Sequence, residues 1–153
     1  MQNPIYQIFD NLSSFKNALL LRKKAYVHAL KIQNLRIDER GELITGLLES
    51  VRIISDLKKR IDDIVKNLSD LSLKKEGTLQ CDFYYDLAVK SDNTKSIFLS
   101  LQLGDMWLLQ RLEEYFKSLN SRQLQTFKEE TKAFIYTMRE SVSRSQKQKF
   151  MVA

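Results

Sequence analysis

The chain has 153 residues with 43% hydrophobic content, which sets it apart from a disordered chain and fits one folded domain spanning 1–153. Its 4 glycines and 1 proline leave little to punctuate the backbone, so long helices should dominate. The +6 formal charge is spread over interleaved acids and bases, the lone Cys81 excludes an internal disulfide, and no run reads as a signal peptide or membrane span; the expected setting is cytoplasmic, nuclear or both.

From Ile5 onward apolar residues fall three and four apart, at Ile5, Ile8, Leu12, Phe15, Leu19, Tyr26 and Ala29, with Pro4 suited to a first helical turn. Arg22 stands in this seam. The pattern then weakens through Gln33, Asp38, Arg40, Gly41 and Gly46, so 5–75 is one helical arm or two helices interrupted near 38–46. Further on, Ile54, Leu57, Ile61, Ile64, Leu68 and Leu71 keep a strict heptad, with Leu47 one heptad ahead. Such a repeat suits a coiled-coil strand or the core helix of a bundle, and periodicity alone does not separate them. Lys74, Lys75 and Gly77 carry helix-ending chemistry.

Between Thr78 and Gly104 the period changes to two. Leu79, Cys81, Phe83, Tyr85, Leu87 and Val89 alternate with mostly polar residues, and Ile97, Leu99, Leu101 and Leu103 resume the alternation after Ser91-Asp92-Asn93-Thr94, which has turn chemistry. This predicts a β-hairpin segment over 78–109. The helical period returns over 110–147, at Leu112, Phe116 and Leu119 and then at Leu124, Phe127, Thr131, Phe134, Met138 and Val142, before a frayed tail at 148–153. The fold expected is mainly α with a small β insertion: a long antiparallel two-helix coiled coil joined by one or two β-hairpins.

No catalytic, cofactor-binding or metal-ligating set stands out. His28 has no second histidine to join it, Cys81 on an apolar stripe reads as an inert packing residue, and Asp82 and Asp86 read as a solvated polar face. The glycines are scattered singly, so no loop is built to cradle phosphate. What remains is association, because unpaired strand edges and coiled-coil seams need partners.

The runs CDFYYDLAV (Cys81–Val89) and SIFLSLQLGDMWL (Ser96–Leu108), followed by LEEYFKSL, resemble the α-class pattern of the prefoldin family. Gly104 keeps only the second glycine of that family's L-G-x-G strand, and Lys90-Ser91 stands where the family usually has proline. The resemblance implies a non-catalytic subunit of a prefoldin or prefoldin-like hetero-hexamer that holds non-native client proteins without ATP, with contacts to transcription machinery among its implied partners. It places Leu79, Cys81, Phe83, Tyr85, Leu87, Val89, Ile97, Leu99, Leu101 and Leu103 in a shared β-barrel. Client-binding tips would then draw on Ile5, Ile8, Phe9, Leu12, Phe15, Met138, Val142, Phe150 and Met151, unless these pair with one another as seam. A second reading is a coiled-coil adaptor for one specific partner. A third, a basic nucleic-acid-binding helical protein, has only Arg139, Arg144, Lys147 and Lys149 as a cation cluster.

Overall fold

A computed structural model describes residues 4–66 and 79–118, with side chains for 10–62, 79–115 and 117, and positions 132, 135, 136, 138–140, 142 and 143. Four helices account for most of these residues: α1 (Pro4–Leu30), α2 (Ile37–Lys66), α3 (Gln80–Lys90) and α4 (Thr94–Ser118). The protein is mainly helical, and the described residues contain no strand.

The seam read from the sequence organises α1. Leu12, Phe15, Leu19, Arg22, Tyr26 and Ala29 are all buried, and Ala18 and Ala25 are buried beside them. This width of burial follows from position: among the described helices α1 packs on α2, α3 and α4, whereas α2 packs substantially on α1 alone. Each large apolar side chain so covered contributes about 1.5–3 kcal/mol before the entropy of ordering it. In α2 the described part of the heptad holds, with Leu57 and Ile61 buried and Leu47 and Ile54 half-buried against the core, while the side chain of Ile64 and all of Leu68, Leu71, Lys74, Lys75 and Gly77 lie outside the described residues.

Residues 31–36 separate α1 from α2. The N–H groups of Lys31 and Ile32 donate to the carbonyls of His28 and Ala29 at 3.1 Å, closing the last turn of α1. Glu39 Oε1 accepts the Arg36 N–H at 3.0 Å and starts α2. The interruption is therefore real but lies upstream of 38–46, and Gly41 and Gly46 are inside α2.

The β segment expected over 78–109 is replaced by helix. Leu79 is extended, with φ −93° and ψ 154°, and α3 begins at the next residue. Its start is secured by Asp82, whose Oδ2 accepts the Leu79 N–H at 3.1 Å. The buried residues Cys81, Asp82, Tyr85 and Ala88 have helical spacing, as do Ile97, Leu101, Asp105, Leu108, Leu112 and Tyr115 in α4. The alternation arose because Phe83, Leu87 and Leu99 are apolar yet exposed, and they fill the odd positions between buried ones. The turn itself stands where its chemistry placed it, but it joins two helices. Ser91 Oγ accepts the Asn93 N–H at 3.2 Å, and Asn93 Oδ1 accepts the Ser96 N–H at 3.1 Å as the cap of α4. Instead of two long helices with strands at one end, the chain forms two helical hairpins, α1–α2 and α3–α4, joined through α1.

The later helix begins at Thr94, not near residue 110. Lys132, Ile135, Tyr136, Met138–Glu140, Val142 and Ser143 are also helical. Met138 and Val142 of the predicted repeat are buried, with Ile135 beside them, while the side chain of Phe116 and all of Leu119, Leu124, Phe127, Thr131 and Phe134 lie outside the described residues.

Candidate functional site

One buried polar cluster draws on all four helices. Arg22, at 0% exposure, comes from the α1 seam, and a guanidinium inside an apolar seam must find partners for five N–H donors. Its Nε donates to Asp105 Oδ1 on α4 at 2.8 Å. Its Nη1 donates to Ser50 Oγ at 2.7 Å and to the Gly46 carbonyl at 3.0 Å, both on α2. Nη2 donates to Tyr26 Oη at 3.1 Å and to Asp105 Oδ2 at 3.4 Å. The same carboxylate accepts the hydroxyl of Tyr26 from α1 and that of Tyr85 from α3, each at 2.5 Å. Arg22 Cζ also stands 4.4 Å from the centre of the Tyr26 ring, a cation–π contact.

Two glycines make room for this cluster. A Cβ on Gly46 would lie 2.2 Å from Tyr26 Cε2, and one on Gly104 would lie 2.7 Å from Tyr85 Cε1. The rings thus lie against bare backbone of α2 and α4. Gly41, in the same helix as Gly46, has nothing within 4 Å of where its Cβ would be. The glycine that weakens the α2 pattern at 46 is therefore a packing requirement.

Electrostatics favour the ion pair being kept. Burial works against the Arg22 charge, but Asp105, Tyr26 and Tyr85 together outweigh it, and the guanidinium is held well above its ordinary value. Burial pushes the phenols of Tyr26 and Tyr85 up, and so they remain donors to Asp105. A buried pair with each donor engaged adds little net stability over an apolar core, yet it is costly to break and selects one arrangement of its helices. Since Arg22 has its donors committed and the cluster is enclosed, its evident action is to fix how the two hairpins meet.

The residues assigned to a barrel are divided by the helices. Cys81, Tyr85, Ile97 and Leu101 are buried, Leu79, Val89 and Leu103 are half-buried, and Phe83, Leu87 and Leu99 are exposed. Of the proposed tips, Leu12, Phe15, Met138 and Val142 are buried, with the Phe15 ring tilted against that of Tyr115 at 5.4 Å between centres, and so they do not form an open client surface. The side chains of Ile5, Ile8 and Phe9, and all of Phe150 and Met151, lie outside the described residues.

His28 Nε2 stands 2.9 Å from the Ser91 carbonyl and ties the end of α1 to the α3–α4 turn. Cys81 is buried, and burial, reinforced by Asp82, raises its thiol far out of the reactive range. Asp82 and Asp86 are not a matched pair, since Asp82 is buried at the start of α3 while exposed Asp86 pairs with Lys90 at 2.8 Å. In the basic cluster, Arg139 pairs with Glu113 at 2.6 Å, and Arg144, Lys147 and Lys149 lie outside the described residues.

Reading the sequence located Arg22 but missed Asp105, its counter-charge. The available signal was an acid within the apolar run Leu101–Leu109, a position compatible with burial only opposite a cation.

Comparison of the chain with protein-family models, with curated proteins and with solved structures gives no match. Among the described residues, no group of three or more His, Cys, Asp or Glu could hold a metal ion, and no helix is long and apolar enough to cross a membrane.

Proposed function

We propose that this chain is a non-catalytic helical adaptor that binds a partner protein through exposed helix faces. The observation that carries this reading is apolar exposure at helical spacing on three helices. Ile44, Leu48 and Val51 follow i, i+4, i+7 on α2, Phe83 and Leu87 follow i, i+4 on α3, and Leu99 and Met106 follow i, i+7 on α4. Single exposed apolar residues are ordinary, but rows on one helix face are the form that helix-in-groove and coiled-coil recognition take. The enclosed Arg22–Asp105 cluster supports the same reading, because it spends the buried charges on geometry.

The prefoldin resemblance implied assembly through β-hairpins. The residues that carried it are helical here, so the adaptor reading keeps association and gives up strand pairing as its means. A photo-crosslinking residue placed in turn at Leu48, Phe83 and Met106 in cells tests the proposal. A defined protein adduct at one or more of these positions supports it, and its absence at all three would sink it.

A further inference from the structure

The cations around the α2 row name the kind of partner it takes. Ile37, Ile44, Leu48 and Val51 are all exposed, Ile37 at 93% and Leu48 at 63%, and Ile37 stands one heptad before Ile44. At 1.5 Å per residue the row runs about 20 Å, three to four turns, the length over which a helix ligand places its anchors. Exposed Arg40 lies one turn from both Ile37 and Ile44, exposed Arg52 lies one turn beyond Leu48, and Lys58 and Lys59 continue the two flanks beyond Val51. Among the acids of α2, Glu42, Glu49 and Asp56 form their own heptad row on another side and Asp38 and Glu39 pair with Arg36 at its start, while exposed Asp62 falls on the line of the apolar row beyond Lys59. Exposed positions of α1 repeat this chemistry, with Leu20 and Val27 beside Lys23 and Lys24. Among the described helices α2 packs substantially on α1 alone, and the Ile37–Val51 side of it is exposed.

From this pattern we infer that the Ile37–Val51 face of α2 docks an amphipathic helix of another protein whose apolar seam is flanked by Glu or Asp. In coiled-coil pairing the apolar seam supplies contact and the flanking charges choose the partner. A second copy of this chain is the wrong partner, because pairing α2 with α2 would bring Arg40, Arg52, Lys58 and Lys59 against like charges. This inference rests on the adaptor reading and specifies its surface and partner chemistry.

The test uses two designed helical peptides with the same leucine seam, one flanked by glutamates and one by lysines, titrated into the full chain. The glutamate peptide should bind, weaken with salt, and lose roughly tenfold or more in affinity with Leu48→Asp, while circular dichroism confirms the exposed substitution leaves the fold intact. Arg40→Glu with Arg52→Glu should reverse the preference toward the lysine peptide. Equal binding of both peptides, no binding of either, indifference to Leu48→Asp, or a Leu48-dependent capture by phosphatidylcholine–phosphatidylserine vesicles in place of the peptide would each overturn the inference. Crosslinks at Phe83 or Met106 without one at Leu48 would likewise remove the α2 surface while leaving the adaptor reading standing.

Discussion

The two helical hairpins obey the same packing rule but announce it differently. In α1–α2 the buried seam keeps its three-four spacing visible in the sequence, Leu12, Phe15 and Leu19 being one such run, because the exposed apolar residues there, Leu20, Val27, Ile44, Leu48 and Val51, do not extend the buried ones into a run of alternation. In α3–α4 the buried rows are equally regular, but Phe83, Leu87 and Leu99 are apolar on the open side. The two sets together imitate alternation. A helix with a second apolar face can read as a strand, and the residues that cause the misreading are those available to a partner.

Breaking the centre should affect both hairpins together. Asp105→Ala leaves Arg22 buried without its counter-charge and removes the acceptor of two tyrosine hydroxyls, so a loss of about 3–5 kcal/mol is expected in denaturant unfolding. Raising the pH attacks the same cluster. Tyr26 and Tyr85 have phenols raised by burial, so the fold retains protons that the unfolded chain gives up above its ordinary value of about 10. Stability should therefore be fully present below that pH and fall as pH rises beyond it, with phenolate absorbance and loss of helical circular dichroism appearing together. Separate transitions would mean the phenols are not confined as described.

The glycines allow a sharper comparison within one helix. Gly46→Ala forces its methyl into the Tyr26 ring and should cost about 1–3 kcal/mol despite better helix propensity. Gly41→Ala meets open space and should stabilise by up to about 1 kcal/mol. Opposite signs in thermal melts would separate a packing glycine from an incidental one. The smallest effect is expected at Phe83, 62% exposed, where Phe83→Ser should change stability by no more than about 0.5 kcal/mol; a large loss would mean this position is needed inside the fold.

Much of α1 and α2 was legible because a long helix with one apolar seam writes its period into the chain, and the Ser91–Asn93 turn was legible because its hydrogen bonds are local. The exposed faces of α3 and α4 were hidden inside the apparent alternation, and that of α2 lay beside its heptad. The candidate cluster was half legible: Arg22 is conspicuous in a seam, but its meaning depends on an aspartate 83 residues away and on two tyrosines and a serine from three helices. Composition and local spacing thus determined that this protein is mainly helical, where the α3–α4 turn falls and which face of α1 is covered. Tertiary structure alone decided that the segment after Leu79 is helix, that Gly46 and Gly104 serve tyrosine rings, and that Arg22 meets Asp105, since burial is a property of all packed surfaces together and no short window of sequence contains it.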